Sequence, residues 1–363
     1  MRRACNISLV FCFALTLAAP TLASVCGLRP WNDIDEKRTL AQKPEARLCS
    51  RDSVRNFAAA AQEWEAYFTD NFGFRKVLIG THRLLTFYLL RTSLNPSVVV
   101  GESDGERRWL YFDASATGDG VGLESILGQT PYAPSALAAI AVRLRQIVAL
   151  VGPRGIKLVI VVAPDKQTIY PEYLPPERRP QPGTVSRLDQ FWAMAQTLPD
   201  VPLVDLRGTL RQAKQRQQLY YPSDTHWNWQ GGLLAYEATA QRLAQQDPSW
   251  PVLPVERLQW FDGPPRVGDL TTLMGLPAIG GDRNRLPTRE SLAALAGNKH
   301  GKLLLIADSF GEALQIFFEL QFQHVSKHHV TRGTREALTP ALLDAEQPDV
   351  VVLQSAERYW TMD

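Results

Sequence analysis

Two kinds of apolar spacing alternate along most of the chain. Short, β-branched runs at Ser97–Val100, Ile156–Val162, Pro202–Leu206, Lys302–Ala307 and Val350–Leu353 have the continuous apolar character of strands buried on both faces. Between them, Ser135–Val151, Thr184–Thr197, Gln230–Gln245 and Phe310–Leu320 repeat apolar residues at three- and four-residue intervals, which predicts amphipathic helices. Strands alternating with helices predict an α/β fold with a mostly parallel sheet and helices on both faces. Ahead of it, Ser53–Asn71 and Arg75–Arg91 read as two helices broken near Gly73, and Asn95-Pro96 closes that segment. Pro171–Pro182 and Gly263–Asp282 read as irregular loops. In such sheets the functional loops gather at the carboxyl ends of strands.

The beginning of the sequence has a different pattern. Met1-Arg2-Arg3 precedes an almost wholly apolar stretch from Ile7 to Ala19, and Thr21-Leu22-Ala23 offers small residues for cleavage after Ala23. This is the layout of an export signal, with an uncleaved anchor as the alternative. The stretch is shorter than the roughly 20 residues of a membrane span, and no later stretch reads as one. Of four cysteines, Cys5 and Cys12 fall in the signal, which leaves Cys26 and Cys49 to pair in an oxidising compartment. Such a bridge contributes roughly 3 kcal/mol in the chain-entropy account. The expected organisation is therefore a signal over 1–23, a disulfide-bearing helical segment over 24–95, and an α/β domain over 96–363.

Composition narrows the function classes. With 363 residues, 45% hydrophobic and 21% charged, the chain is globular rather than disordered or collagen-like. Its mean hydropathy of −0.17 argues against a polytopic membrane protein. There are 39 Lys and Arg against 37 Asp and Glu. Arg2 and Arg3 are the only charges before Ser24, so the two signs balance once the signal is removed. A neutral chain without a long basic run has no bulk field for gripping nucleic acid. Two cysteines also cannot form a thiolate zinc site.

Three residues carry the candidate chemistry. The run Leu303–Ile306 leads directly into Ala307-Asp308-Ser309-Phe310 and then a helical pattern. A serine at a strand-to-helix turn holds its hydroxyl at the sheet edge and its N–H near a helix N-terminus, which favours a developing oxyanion. Plain N-capping accounts for Asp and Ser at such a turn equally well. The second element is Tyr220-Tyr221-Pro222-Ser223-Asp224-Thr225-His226-Trp227. A serine hydroxyl needs a base to take its proton, and a histidine needs an acceptor to fix its tautomer. Two positions apart on extended chain, Asp224 and His226 point the same way. They could instead ligate a metal, but no third ligand accompanies them at metal-site spacing. His324, His328 and His329 read as a solvated polar surface. Trp227, Trp229, Tyr170 and Tyr221 are candidates for stacking on sugar rings, with core packing as the alternative. Lys166 is a candidate contact for an acidic sugar, and Arg75 reads as an anchor of the entry helices.

Asp-x-His followed by Asp-Ser resembles the signature of SGNH hydrolase-like domains. The wording is similar to that of the alginate O-acetyltransferase family, of the AlgX and AlgJ type, in which Asp-x-His precedes the serine. Asp224 and His226 precede Ser309 here. Further stretches share the resemblance: Asp70–Arg75, Ala163–Lys166, Tyr170–Pro175, Gly268-Asp269-Leu270 and Glu357-Arg358-Tyr359. It extends from about Glu63 to the last residues. One departure is Ala307, where the family usually has glycine, which alanine replaces only if that turn needs no positive φ.

The resemblance implies an SGNH-like three-layer sandwich and an O-acetyltransferase with Ser309 as nucleophile, His226 as general base and Asp224 as its orienting partner. It implies an exopolysaccharide substrate, a membrane-embedded acyl-transfer partner supplying acetyl groups, and a periplasmic location, with no metal or bound cofactor required. The last strand lies close to the end of the sequence, which leaves no room for the C-terminal carbohydrate-binding module some members carry. A carbohydrate esterase or deacetylase using the same three residues is the alternative. A non-catalytic component of a polysaccharide export complex is the third reading.

Overall fold

Residues 10–15, 18–20, 22–23, 26, 39–44, 57–118, 121–297, 299–330 and 337–360 are described by the computed structural model. The chain divides into two units, Met1–Leu94 with Met274–Leu276, and Asn95–Leu273 with Pro277–Asp363. In the first, α1 (Phe57–Asp70) and α2 (Arg75–Tyr88) meet the expectation of two entry helices. Asn71 Nδ2 donates to the Tyr67 carbonyl at 3.0 Å, turning the chain out of α1. Arg75 donates to the Thr69 carbonyl at 3.3 Å, an anchor between the two helices. Cys26 is an exposed free thiol, and Cys49 lies outside the described residues. The expected Cys26–Cys49 bridge is therefore not part of this structure. Elimination showed only which thiols were available, whereas a bridge also needs Cα atoms within about 7 Å.

The second unit begins with a hairpin, β1 (Val98–Ser103) and β2 (Arg108–Phe112), paired antiparallel. Then follow α3 (Pro134–Val151), β3 (Lys157–Ala163), α4 (Arg187–Ala195), β4 (Leu203–Asp205) and α5 (Trp229–Gln246). A small antiparallel pair, β5 (Trp260–Asp262) and β6 (Arg285–Pro287), precedes β7 (His300–Ala307), α6 (Glu312–Gln321), β8 (Phe322–His329), α7 (Pro340–Glu346) and β9 (Val350–Ala356). Five strands form one parallel sheet in the order β4-β3-β9-β7-β8.

Alternation along the central strands builds a core on each face. Val159, Val161, Leu303, Leu305, Val350 and Val352 pack with Ala235, Tyr236, Phe317 and Phe318 from α5 and α6. Leu158, Ile160, Val162, Leu304, Ile306 and Val351 pack on the other side with Ile140, Leu144 and Ile147 of α3 and Phe191 of α4. Burying each such side chain contributes about 1.5–3 kcal/mol. This is the expected α/β fold, a parallel sheet between two helical layers.

Three details depart from the sequence reading. Ser97–Val100 pairs in the hairpin rather than in the main sheet. The polar stretch with His324, His328 and His329, read as a solvated surface, keeps His324 and His329 exposed but forms β8, an edge strand beside β7 that the sequence reading did not include. An edge strand has no second neighbour, so it needs no continuous apolar run. Finally, Pro134–Arg154 is long and apolar enough to cross a membrane by length and composition. Its stripe of Ile140, Leu144, Ile147 and Val151 is buried in the core instead.

Candidate active site

Strand β7 ends at Ala307 and hands the chain to a 3-10 turn, Ser309–Gly311, which runs into α6. Asp308 Oδ1 accepts the Phe310 N–H at 2.9 Å, so the aspartate is the cap. It also reaches across the sheet. Gln354 Nε2 donates to Oδ1 at 3.0 Å, and the Ala356 N–H donates to Oδ2 at 2.6 Å. The turn is thereby tied to β9, and the Ser309 hydroxyl is left for other work. Ser309 sits at the first turn position, where a backbone N–H has no intrahelical acceptor. Among the described residues only Arg91 and Gln347 are non-glycine residues with positive φ. Ala307 is not among them, so this turn does not require the glycine usual in the family.

The histidine arrives from the other side of the cleft. Asn228 caps α5 by accepting the Gln230 and Gly231 N–H groups, each at 3.0 Å. A Cβ on Gly232 would lie 2.3 Å from the Ala313 Cβ, so only glycine lets the start of α5 approach α6 this closely. That approach brings His226, just before α5, to Ser309, just before α6. His226 Nε2 and Ser309 Oγ are 2.6 Å apart, and His226 Nδ1 lies 2.6 Å from Asp224 Oδ1. The three residues form one continuous hydrogen-bonded relay, its histidine and serine 83 positions apart in sequence.

Asp224 is the buried end, its side chain 1% exposed. Burial alone would raise its pKa. The hydrogen bond and charge of His226 and the nearby Arg266 outweigh burial and hold the carboxyl well below the usual range. Arg266 Nε donates to Asp224 Oδ2 at 3.1 Å, and the Asp269 N–H reaches the same oxygen at 3.3 Å. Asp269 in turn accepts the Thr225 N–H at 2.8 Å. A second buried network lies behind the site. Arg358 pairs with Asp165, while Glu357 accepts the Asp165 N–H at 2.9 Å and the Thr168 hydroxyl at 2.6 Å. Burial, followed by the Asp165 charge, pushes Glu357 up to about 8. The Arg358 guanidinium stands 5.5 Å from the Phe310 ring.

Ser309 and His226 open into a cleft of about 290 Å³, lined also by Tyr221, Trp227, Asn228, Trp229, Arg266 and Phe310. Of the candidate sugar contacts, Trp227, Trp229 and Tyr221 therefore border the relay. Tyr221 lies beneath the Arg266 guanidinium, 5.1 Å from it, and donates its hydroxyl to Asn284 at 2.7 Å. Tyr170 and Lys166 do not line the cleft. Tyr170 is buried in the core, where its hydroxyl accepts the Leu219 N–H at 3.0 Å. Lys166 is also buried, with its ammonium turned onto backbone carbonyls. For Tyr170 the core-packing alternative holds, and Lys166 departs from its reading as a loop lysine because it lies in a buried single helical turn, Lys166–Ile169, that sequence alone did not reveal.

Sequence reasoning missed the roles of Arg266 and Asp269 and the tie of Asp308 to β9. The N-cap preference for Asp was the available signal for Asp308. Arg266 reaches Asp224 only through tertiary folding, and no local pattern announces it. Asp269 also supplies the third group that metal-site spacing lacked. Ligand atoms of Asp224, His226 and Asp269 lie within 4.8 Å of one another. Their donor set is already committed to hydrogen bonds, and the guanidinium on Asp224 opposes a cation there.

Residues 103–341 match the family described as the SGNH hydrolase-like domain of acetyltransferase AlgX. The chain belongs to this family. It is similar to the protein named "Probable alginate O-acetylase AlgJ" of Pseudomonas syringae pv. tomato, 26% identical over 276 residues, which are 71% of this chain and 64% of that protein. The chain thus spans less than two thirds of that relative's length. Among solved structures, a DHHW family protein from Eubacterium siraeum superposes with a TM-score of 0.51 at 16% identity, covering 74% of this chain and 93% of its own. Bacillus cereus PatB1 gives 0.51 at 12% identity, with 73% and 98% covered. These two likenesses concern the fold.

Proposed function

We propose that the chain is an O-acetyltransferase that moves an acetyl group through an acetyl-serine intermediate to hydroxyls of an exported polysaccharide. The observation that carries this reading is the Asp224–His226–Ser309 relay opening into a cleft, in a chain of the acetyltransferase family. His226 Nε2 takes the Ser309 proton as Oγ attacks the donor's acetyl carbonyl. The oxyanion receives the Ser309 N–H at the start of the turn. Collapse leaves acetyl-serine and passes the proton from His226 to the leaving group. A sugar hydroxyl then gives its proton to His226 and attacks the ester carbonyl, and His226 returns that proton to Ser309 Oγ as the Oγ–acyl bond breaks and the acetylated sugar leaves. Asp224 holds the histidine tautomer and balances its positive charge. Trp229 and Tyr221 are placed to border the sugar. Arg266 engages Asp224 through Nε and has further N–H groups for a uronate carboxylate, which suits an alginate-like acceptor. A membrane-embedded partner is the proposed source of acetyl groups, on the periplasmic side.

The test supplies purified protein with a small acetyl ester and oligosaccharide acceptors, and follows acetylated sugar by mass spectrometry. Transfer is expected, and Ser309→Ala is expected to lose it by several orders of magnitude. Ester hydrolysis at one rate with or without any glycan, and no acetylated sugar, makes the chain an esterase.

A further inference from the structure

Lys166 is a buried cation that the relay does not use. Its side chain ranks among the largest fully buried ones, and its Nζ donates to the carbonyls of Tyr221 at 3.0 Å, Pro222 at 2.9 Å and Asp224 at 2.6 Å. The rings of Trp109 and Tyr111 stand 5.7 and 5.4 Å away. Three acceptors match the three N–H bonds of an ammonium group. All three belong to the short segment that ends at Asp224 and delivers His226. No carboxylate hydrogen-bonds the cation among the described residues, so its contacts organise backbone rather than neutralise a charge.

We propose that Lys166 is a positioning residue for acyl transfer, its ammonium fixing the Tyr221–Asp224 backbone so that Asp224 meets His226 Nδ1. The proposal rests on the relay reading above. A neutral amine has two N–H bonds and cannot serve three carbonyls, so the anchor is complete only in the charged form. Burial pushes this lysine down to about 8, against the opposing charges of Asp282, Asp269 and Asp224. Asp165 precedes it on its own turn. Glu357, which accepts from Asp165 and Thr168 of that turn, titrates in the same window, so the loss of the limb in Lys166→Met assigns it to the lysine. The Tyr111 phenol, itself pushed well above its ordinary range by burial, remains neutral through it. Turnover therefore falls as pH rises through about 8. Stability moves the other way: an unfolded lysine keeps its proton to about 10.4, so deprotonation favours the folded chain between those values. A merely structural lysine would not lower turnover while raising stability.

The test measures kcat and KM on p-nitrophenyl acetate from pH 6.5 to 9.5, with melting temperature, for the wild type, Lys166→Met and Lys166→Gln. The methionine variant is expected to keep KM, lose kcat at least tenfold, and lose the basic limb near pH 8. Glutamine, with two N–H donors, is expected to recover part of kcat. A Lys166→Met kcat within twofold of wild type, or an unchanged basic limb, overturns the proposal. If the methionine variant does not fold, the wild type decides through the low-field proton signal of the Asp224–His226 hydrogen bond. Weakening of that signal together with kcat above pH 8 supports the anchor, and constancy of both overturns it. Ser309→Ala separates the two readings. If it alone kills turnover while Lys166→Met is normal, only the lysine proposal fails; if it too stays active, the relay reading fails with it.

Discussion

At the scale of single residues, Asp224 has both of its carboxylate oxygens committed. Its two oxygens serve His226 on one side and Arg266 with the Asp269 N–H on the other. Because its folded pKa is depressed, the stability it contributes is complete above the unfolded value of about 3.9 and is lost as pH falls below that. Asp224→Asn is expected to flatten the acid side of the stability curve and to cut kcat by roughly 10³–10⁴, because the amide favours the wrong histidine tautomer. Chemical denaturation at pH 3 and pH 7, with esterase kinetics at pH 7, measures both. The relay itself was legible because Asp-x-His and Asp-Ser keep their partners close in sequence or at a strand end. Arg266 was not, since 42 positions separate it from the carboxylate it touches. Lys166 was visible as a residue but misread, because nothing local distinguishes an ammonium on solvent from one on three carbonyls.

At the scale of elements, the loop Tyr220–Asn228 depends on a close backbone passage. A Cβ on Gly268 would lie 1.9 Å from the Ser223 carbonyl oxygen and 2.3 Å from its carbon. The contact is with main chain and cannot be relieved by a side-chain rotation. Gly268→Ala is expected to push the Asp224 segment off its place, with a stability loss of about 1–3 kcal/mol and loss of most turnover. Urea denaturation and p-nitrophenyl acetate kinetics test it, and wild-type values in both would show that the loop yields freely. The strands β3, β7 and β9 were readable from sequence because both faces are covered and each carries a continuous apolar run. Strand β8 was hidden by its place at the edge, where Ser326, Lys327 and His328 suffice. The hairpin β1–β2 was half seen: Val98–Val100 has the apolar signal, while Arg108–Phe112 mixes charge and aromatics.

At the scale of the whole molecule, the proposed transfer needs acetyl donor and polymer to meet on one side of a membrane. The Arg2-Arg3 start and the apolar stretch behind it give the expectation of export. Cell fractionation of a bacterium expressing the chain with a C-terminal tag is expected to find it outside the cytoplasm. Recovery in the cytosol at full length would remove the extracellular polymer from consideration.

The central strand of the sheet is also the last of its five strands in sequence. β9 lies between β3 and β7, and its Ala356 and Gln354 hold the Asp308 carboxylate beside Ser309. A ribosome that has released Ser309 has therefore produced the proposed nucleophile without its support, and the two halves of the sheet without the piece that joins them. Chains arrested before Val350 are expected to show neither a cooperative unfolding transition nor ester turnover. Under the proposed function, timing guards the acetyl supply: copies that stop short of β9 cannot divert it, because reactivity and completion of the sheet arrive in the same step.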